Sequence, residues 1–335
     1  MKIVVDIFGG DNAPVEIVKG AVKSLEKDGF GLVLVGKKEE IENLLSAENY
    51  DKSRVEIIDA RDIITNNDVP TEALRKKPES SLVKSFEILR NDAEAEGFVS
   101  AGSTGAVLTG GVLLLPRIKG INRPALAPIL PRSDGGKVML IDCGANAECK
   151  SLNLVQFAQM GTAFMKAVNG VENPVVGLLS NGTEDKKGND LTKESFGLLK
   201  EAEINFKGNI EGRDILLGDC DVVVADGFSG NIALKASEGA ALMMFDLIKK
   251  GILNGKLRAK IGYLLLKPVF KEIKKVMDYN DNGGAVLLGL KKIVIKAHGS
   301  SKAKSIAAAI WQAKQMAESG VVTKIEEALI SETVQ

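Results

Sequence analysis

Small polar side chains recur in this sequence directly after short apolar segments, in stretches that are rich in glycine. Six glycine-rich loops of this type fall where buried strands are expected to end. The side chains that could carry chemistry in and near these loops are Ser103, Thr104, Asn146, Asn181, Lys186, Lys187, Asn209, Ser229, Asn231 and His298. Neutral hydrogen-bond donors aimed at a developing negative charge are what acyl transfer requires. The set therefore predicts a site for an oxyanion or a phosphate more than a site for a metal ion.

The stretch 219–231 shows the pattern most clearly. Residues 222–225 form an unbroken apolar run, which is typical of a parallel strand covered on both faces. Residues 226–230 then supply a polar turn with two glycines, and Asn231 can cap a helix that extends to about Leu253. The unpaired N–H groups at such a helix start favour an anion. One such loop is equally well explained as an ordinary connection, so the hypothesis of a site rests on repetition.

His298 is the only histidine of the chain. A lone histidine is often a structural hydrogen-bonding group, but this one ends an apolar segment and precedes a Gly-Ser-Ser sequence. Two roles stay open for it, since imidazole can protonate a leaving group or donate a hydrogen bond to an oxyanion. Asn181, Asn209 and Asn231 are further candidate donors, and a turn cap is the alternative explanation for each.

Several standard catalytic motifs do not occur in the sequence. No G-x-G-x-x-G follows a predicted strand, and no G-x-S-x-G nucleophile turn is present. Residues 284–291 resemble a phosphate-binding loop, but the lysine stands one place late, so we expect core packing there. A zinc site would need more ligands than one histidine and three scattered cysteines. We therefore predict no metal site.

Composition and charge exclude several classes of protein. The chain has 335 residues and is 45% hydrophobic, which allows a large core and argues against disorder. Lys plus Arg and Asp plus Glu number 44 each, so no overall charge indicates nucleic acid. Three cysteines without metal-ligand spacing, and a first strand in place of a secretory signal, predict a reduced, cytosolic protein. No apolar segment has the length of a membrane-spanning helix.

Strands and helices alternate along most of the sequence. We predict strands at residues 2–7, 31–35, 55–59, 98–100, 126–130, 138–142, 175–179, 222–225 and 293–297. Such alternation predicts a mostly parallel α/β sheet, and ligands bind outside the carboxyl ends of the strands in sheets of this kind. No short repeat and no linker is apparent, so we expect one domain, 1–335, with two lobes that share a cleft. The polar loops would line this cleft.

Residues 254–279 form a basic and amphipathic segment. Its apolar residues at helical spacing are Leu257, Ile261, Leu264, Leu265, Phe270, Ile273 and Met277, and its lysines include Lys256, Lys260, Lys267, Lys271, Lys274 and Lys275. Pro268 disfavours a helical conformation at Lys267, so residues 262–267, with Leu264, Leu265 and Leu266, should form the tip of a protruding helical hairpin. We predict a dimer interface whose tip contacts anionic lipid or an acidic partner. A hairpin buried in the core is the alternative.

Five motifs at these loops are specific when taken together, and they span nearly the whole chain. They are Val5-Asp6-Ile7-Phe8-Gly9-Gly10-Asp11-Asn12-Ala13-Pro14, Ser100-Ala101-Gly102-Ser103-Thr104-Gly105-Ala106, Asp142-Cys143-Gly144-Ala145-Asn146, Gly177-Leu178-Leu179-Ser180-Asn181-Gly182-Thr183-Glu184 with Lys187-Gly188, and Asp226-Gly227-Phe228-Ser229-Gly230-Asn231. The sequence thereby resembles the bacterial acyl-carrier-protein:phosphate acyltransferases of phospholipid synthesis. That family usually has Asn where this chain has Ser103, so the resemblance supports a backbone role for this loop more than a side-chain role.

The resemblance implies an enzyme that transfers a long-chain acyl group from acyl-carrier protein to inorganic phosphate. It also implies a cofactor-free α/β/α fold, related to phosphotransacetylases and isopropylmalate dehydrogenases, that works as a homodimer. For this reaction we expect catalytic roles for His298, Asn231, Asn181, Asp226 and Lys187. We expect substrate contacts from Asp11, Asn12, Ser103, Thr104, Gly105, Asn146, Lys186, Asn209, Ser229 and Gly230. A phosphotransacetylase that uses coenzyme A and a non-catalytic acyl-carrier or membrane adaptor are the alternatives.

Overall fold

The protein contains two mostly parallel β-sheets with helices packed on both sides. A computed structural model describes residues 1–255, 257–277 and 283–333. The strands are β1 (Lys2–Asp6), β2 (Gly31–Gly36), β3 (Val55–Asp59), β4 (Ala95–Ser100), β5 (Ala125–Ala127), β6 (Ile129–Pro131), β7 (Lys137–Ile141), β8 (Val175–Leu179), β9 (Asn205–Ile210), β10 (Val222–Val224), β11 (Ala285–Leu288) and β12 (Ile293–Lys296). The helices are α1 (Val15–Ser24), α2 (Lys38–Ser46), α3 (Pro70–Lys76), α4 (Ser81–Asn91), α5 (Thr104–Leu114), α6 (Ser151–Asn169), α7 (Asp190–Glu201), α8 (Asp214–Leu217), α9 (Gly227–Asn254), α10 (Leu257–Met277), α11 (Ala303–Ser319) and α12 (Val321–Thr333).

The first sheet has the strand order β3-β2-β1-β4-β12-β11-β5. Its first five strands are parallel, whereas β11 runs antiparallel to both of its neighbours. Val4, Val99 and Ile295, at the centre of this sheet, are fully buried, as expected for strands covered on both faces. The loops that follow β1, β4 and β12 therefore emerge side by side.

The second sheet has the strand order β6-β7-β10-β8-β9, with only the edge strand β6 antiparallel to its neighbour. The loops that follow β7, β10 and β8 emerge next to one another at one edge. One cluster of buried apolar side chains includes Val5 and Ile295 of the first sheet together with Met139 and Val222 of the second. The predicted α/β/α fold with mostly parallel sheets is confirmed.

The prediction of one strand over residues 126–130 is wrong. The chain forms two three-residue strands there, β5 in the first sheet and β6 in the second, separated by Pro128. Proline has no N–H to donate to a ladder, so it interrupts pairing where the chain leaves one sheet and enters the other. The carbonyl of Pro128 still accepts from the Leu140 N–H at 3.1 Å. This crossing joins the two sheets at their edges.

Two strands lie in segments where none was predicted. Strand β9 occupies a segment with a glycine at 208, and β11 lies in the stretch that resembles a phosphate-binding loop. Val286, Leu287 and Leu288 of β11 are buried, as expected from the prediction of core packing. Strand β9 carries glycine and lysine between its apolar residues, so its local pattern was weak, and β11 pairs with the distant β5 as well as with the adjacent β12.

Helix α9 begins before Asn231, contrary to the prediction that Asn231 caps it. Asp226 is the N-cap residue, and its Oδ1 accepts a hydrogen bond from the Ser229 N–H at 2.9 Å. A carboxylate in this position satisfies an N–H that the helix leaves unpaired. Asn231 instead lies inside the helix, near its first turn.

The hairpin formed by α9 and α10 has its turn near Gly255, not at residues 262–267 as predicted. Helix α10 continues through Pro268, because the loss of one backbone hydrogen bond does not end a long helix that packs against a neighbour. Leu264, Leu265 and Leu266 therefore lie along α10 and are exposed. Lys256, and the side chains of Leu257, Lys260, Lys274, Lys275 and Met277, lie outside the described residues.

Candidate active site

Loops of both sheets meet at the carboxyl ends of their parallel strands. The first sheet contributes the loops after β1, β4 and β12, and the second contributes those after β7, β8 and β10. The two groups are close enough for the charge of Lys235 on α9 to affect both His298 of the first group and Cys143 of the second. Ligands bind at such edges in folds of this type, so this cleft is the candidate active site.

A buried carboxylate anchors the loops that follow β1 and β4. Asp6 is 3% exposed, and its two oxygens accept hydrogen bonds from Ser81 Oγ at 2.6 Å and from Ser100 Oγ at 2.7 Å. Burial raises the pKa of Asp6 above its usual range, and the two hydroxyls oppose that rise. Gly9 passes so close that an added Cβ would lie 2.5 Å from Asp6 Oδ2. Asp6 therefore determines the path of the glycine loop beneath the cleft.

The loop after β12 is braced by the loop after β1. Asn12 donates from Nδ2 to the carbonyl oxygens of Ser300 at 2.9 Å and Ser301 at 3.2 Å. The N–H of Asp11 donates to the carbonyl of Gly299 at 2.8 Å, and an added Cβ on Gly299 would lie 3.3 Å from Asp11 Oδ2. The amide of Asn12 thus positions the neighbouring loop, while the Asp11 side chain is exposed beside it.

The imidazole of His298 has a defined hydrogen-bonding state. Its Nδ1 lies 2.8 Å from Ser300 Oγ and accepts from the Ser300 N–H at 3.2 Å. Because a backbone N–H can only donate, the proton of the neutral ring is on Nε2. Burial, followed by the positive charges of Lys235 and Lys296, lowers the pKa of His298 below its usual value. The ring is therefore uncharged at neutral pH and carries its N–H on the side away from Ser300.

A second buried carboxylate anchors the loop that follows β7. Asp142 Oδ1 accepts from the N–H groups of Leu126 at 2.8 Å and Ala145 at 3.1 Å. Its Oδ2 accepts from the N–H of Asn146 at 2.7 Å and from Asn146 Nδ2 at 2.9 Å. Burial raises the pKa of Asp142, and these hydrogen bonds oppose the rise. Asn146 Nδ2 also donates to the Pro124 carbonyl at 2.7 Å, so this amide holds the loop together from inside.

The start of α9 packs directly on the Asp142 loop. An added Cβ on Gly227 would lie 2.8 Å from Asp142 Oδ2, and one on Gly230 would overlap the Asp142 carbonyl oxygen. Only glycine permits this approach, so the two glycines set the position of the helix start. The carboxylate of Asp226 caps the helix through Ser229, which makes it an orienting group for the residues that follow.

Asn231 lies on the side of α9 that faces the cleft. An added Cβ on Gly144 would lie 3.7 Å from Asn231 Cγ, so the amide covers the loop after β7. Lys235 follows four residues later on the same helix face, and its charge affects the pKa of His298. Within the described ranges, no residue forms a hydrogen bond with the Asn231 side chain. The Asn231 amide and the His298 imidazole are both exposed.

The loop after β4 leads into helix α5, which starts at Thr104. Ser103 is the N-cap residue, but its side chain does not cap the helix. Thr104 and Gly105 are exposed, and an added Cβ on Gly105 would lie 3.0 Å from Pro70 Cγ. The backbone N–H groups of this first turn are consequently the groups that the loop can present to an anion.

The remaining predicted residues belong to the loop that follows β8 and to the end of β9. The exposed residues of this group are Asn181, Lys186 and Lys187. The stem of Lys187 packs over Gly182, where an added Cβ would lie 2.9 Å from Lys187 Cγ. Asn209 donates from Nδ2 to the Glu184 carbonyl at 2.9 Å, which ties β9 to this loop. Strand β8 neighbours β10, so the loop after β8 emerges beside the loop that leads into α9.

Known proteins place the chain in a family. A family model described as "Fatty acid synthesis protein" matches residues 1–324. The chain belongs to this family. A curated relative, the phosphate acyltransferase of Clostridium novyi, is 49% identical over 97% of this chain and 98% of that protein. The phosphate acyltransferase of Clostridium tetani is 46% identical over 99% of this chain and 98% of its own length.

Solved structures with low identity share the fold of this fatty acid synthesis protein family member. A phosphotransacetylase from Streptococcus pyogenes matches with a TM-score of 0.62 at 18% identity, over 95% of this chain and 94% of that chain. At this identity the match shows the fold alone, and it confirms the predicted relation to phosphotransacetylases.

The three cysteines of this family member are poorly suited to nucleophilic chemistry. Cys149 lies beside the cleft, and its Sγ is 3.6 Å from the Asn146 carbonyl. Burial raises the pKa of Cys149 and of Cys220 to about 11 and that of Cys143 well above its usual value. Since the thiolate is the nucleophilic form, none of the three thiols is activated at neutral pH.

Four charged residues of the site were not among the predicted site residues: Asp6, Asp142, Lys235 and Lys296. Asp6 ends an apolar strand before a glycine loop, and Asp142 directly follows such a strand, which was a usable sequence signal. Lys296 is a single charged residue at the end of an apolar strand, also visible in the sequence. Lys235 carries no local signal, since only the packing of α9 brings it near His298.

Replacing Asn12 with alanine tests whether this residue positions the loop after β12. We expect Asn12→Ala to lower the free energy of unfolding by about 1–2 kcal/mol, because two carbonyl oxygens lose their shared donor. Chemical denaturation measures this change. Asn43→Ala is the matched control, since Asn43 is exposed on α2 and its side chain donates to no described residue. Equal stability of the two variants would contradict the bracing role.

Proposed function

We propose that the protein is a phosphate acyltransferase that transfers a long-chain acyl group from acyl-carrier protein to inorganic phosphate. The products are an acyl phosphate and the free carrier thiol, and the acyl phosphate feeds phospholipid synthesis. The observation that carries the proposal is the full-length similarity to proteins named phosphate acyltransferase. The structure supports it, because the exposed donors Asn231 and His298 follow parallel strands of the two sheets, and the charge of Lys235, four residues after Asn231 on α9, acts on His298.

The proposed reaction is a direct displacement at the thioester carbonyl. A phosphate oxygen attacks the carbonyl carbon, and the carbonyl oxygen becomes an oxyanion. Nε2–H of His298 and the Asn231 amide donate hydrogen bonds to that oxyanion, which stabilises the transition state. The intermediate collapses, the carbon–sulfur bond breaks, and the carrier leaves as a thiolate that takes a proton from solvent.

The state of His298 favours a hydrogen-bonding role over an acid role. Its pKa is lowered, so little imidazolium exists at neutral pH to protonate the leaving group. A thiol has an ordinary pKa near about 8.5, so the thiolate leaves with modest assistance. Direct transfer is also consistent with the raised pKa values of the cysteines, which disfavour a covalent thioester on the enzyme.

We assign the phosphate to the exposed lysines of the loop after β8 and to the N–H groups at the start of α5. Lys187→Ala is expected to raise KM for phosphate far more than KM for the acyl carrier, because a cation in this loop attracts the anion. Steady-state kinetics with each substrate varied separately measures the difference. Lys186→Ala identifies which lysine acts, and Lys193→Ala on the exposed surface of α7 is the control. A change confined to the carrier's KM would assign Lys187 to protein docking instead.

One assay separates the proposed activity from the alternatives. Purified protein is incubated with phosphate and either an acyl-carrier-protein thioester or the matching coenzyme A thioester, and thiol release and hydroxamate-trappable product are measured. We expect acyl phosphate from the carrier thioester at the higher kcat/KM. Preference for coenzyme A would support a phosphotransacetylase, and no product from either would support an adaptor.

We further propose that the protein works as a homodimer with a peripheral contact to anionic membrane through the α9–α10 hairpin. The exposed apolar residues of α9 and α10 include Leu242, Met243, Met244, Leu247, Leu264, Leu265 and Leu266. The rings of Tyr263 and Phe270 pack with centroids 5.7 Å apart on α10. No described helix is long and apolar enough to cross a bilayer. An apolar surface of this kind supports contact with a second subunit or with lipid.

A further inference from the structure

Lys296 is a buried lysine at the end of the central strand β12, two residues before His298. Only 7% of it is exposed, which is rare for lysine because burial disfavours the charged form. Its position next to the cleft distinguishes it from Lys186 and Lys187, which lie on the surface of the loop after β8.

The ammonium group of Lys296 connects two of the loops that form the cleft. Its Nζ donates to the carbonyl oxygen of Ala101 at 3.4 Å and also to that of Ala297. Ala101 leads into the N-terminus of α5, and Ala297 directly precedes His298. The Ala297 N–H donates to the Ser100 carbonyl at 2.9 Å, so the two strand ends are already joined by the backbone. Lys296 extends that connection into the loops.

Charged groups from three neighbouring elements surround Lys296. Asp6 on β1 and Asp11 in the loop after β1 favour its positive charge, and Lys235 on α9 disfavours it. Lys296 in turn adds to the positive potential at His298, along with Lys235, while Glu238 and Asp11 oppose it. The protonation of Lys296 and that of His298 are therefore coupled through space.

We propose that Lys296 is a positioning residue for acyl transfer, which holds the loops before Thr104 and His298 together and keeps the imidazole of His298 uncharged. This inference rests on the proposed function. The neutral ring accepts at Nδ1 from the Ser300 N–H and keeps its proton on Nε2. A protonated ring would also carry a proton on Nδ1, so two hydrogen-bond donors would then face each other. Lys296 thereby preserves the hydrogen-bonding state that suits an oxyanion.

The proposal predicts an alkaline limit for the reaction, because the ammonium that contacts the Ala101 and Ala297 carbonyls loses its charge as the pH rises. Burial lowers the pKa of Lys296 to about 8, although Asp11 and Asp6 oppose this shift. Below this pH the ammonium is charged, and above it the charge is lost. We expect activity to fall as the pH rises through about 8, and we expect this decline to be absent in a variant without the amine.

The first test follows the ionisation of His298 by NMR, which is direct because the chain has a single histidine. We expect the pKa of His298 to rise in Lys296→Gln and Lys296→Met, since a neighbouring positive charge is removed. Lys235→Gln is the positive reference and should raise it as well. Lys292→Gln is the matched control, because Lys292 Nζ binds the carbonyls of Ala95 and Asp92 at the opposite end of the same strands.

The control variant should leave the His298 pKa unchanged. An unchanged His298 pKa in folded Lys296→Gln would overturn the electrostatic part of the proposal. The NMR measurement does not depend on enzymatic activity. If the wild-type protein produced no acyl phosphate, that result would contradict the proposed function, and the His298 pKa would still test the electrostatic effect of Lys296.

The second test measures kinetics as a function of pH. We expect Lys296→Gln to lower kcat at least about tenfold with a smaller change in the two KM values, because the donors around the transition state are misplaced. Lys296→Arg, which keeps the charge, should retain more activity than Lys296→Gln. A folded Lys296→Gln protein with wild-type kcat and the wild-type alkaline decline would overturn the positioning role.

Discussion

His298→Ala and Asn231→Ala are each expected to lower kcat at least about tenfold, because each removes a donor that the proposed mechanism places against the oxyanion of the transition state. Both side chains are exposed, so their truncation leaves no core cavity. We expect the thermal midpoint of both variants to stay within a few degrees of wild type. Initial rates of thiol release from acyl-carrier protein, with both substrates saturating, measure the effect.

Ser300→Ala provides the matched control for the histidine. It removes the hydroxyl 2.8 Å from Nδ1 but keeps the backbone N–H that sets the tautomer. We therefore expect a smaller loss of kcat than in His298→Ala. Near-normal activity in both His298→Ala and Asn231→Ala would show that the oxyanion is stabilised elsewhere, for example by the N–H groups of α5.

The double variant Leu264→Glu with Leu265→Glu is expected to abolish sedimentation with anionic vesicles while it leaves soluble acyl-phosphate synthesis largely intact. These leucines are 69% and 75% exposed on α10. Each buried leucine contributes about 1.5–3 kcal/mol and each lysine near an anionic surface about 1 kcal/mol. The leucines should thus dominate membrane affinity, and the lysines should determine its dependence on salt.

The control for this experiment changes two exposed leucines outside the hairpin. Leu113→Glu with Leu217→Glu adds the same charge on α5 and α8, where the leucines are 63% and 68% exposed. We expect this protein to sediment with vesicles as the wild type does. Unchanged vesicle binding of the hairpin variant would leave subunit packing as the role of α10, which sedimentation equilibrium would then detect as a change in dimer dissociation.

Local sequence patterns were sufficient for most elements of the sheets. Short apolar runs predicted strands such as β8, with the observed bounds, and β10, because a strand buried on both faces needs a continuous apolar segment. The glycine motifs likewise indicated where the chain turns into helices. These features depend on neighbours in sequence, so the sequence alone can specify them.

The placement of polar side chains depended on contacts between distant segments. Asn12 and Asn146 were predicted to contact substrate, and the structure adds that their amide nitrogens donate to the Ser300 and Pro124 carbonyls. Pro268 predicted a break in the helix, but α10 continues through it. Buried carbonyl groups need hydrogen-bond donors, and this need determines where the amides of Asn12 and Asn146 bind. A local sequence pattern does not show which distant carbonyl is buried.

The sequence by itself determined the α/β class, most of the alternating strands and helices, and the glycine loops, because these follow from apolar periodicity and backbone freedom. Only the tertiary structure decided that the chain divides at Pro128 into two sheets, and that Lys235 on α9 lies near enough to His298 for its charge to act on the imidazole. It also decided the charge states there, since burial beside Lys235 and Lys296 lowers the pKa of His298. Desolvation and through-space charge depend on three-dimensional surroundings, which residue types and spacing do not contain.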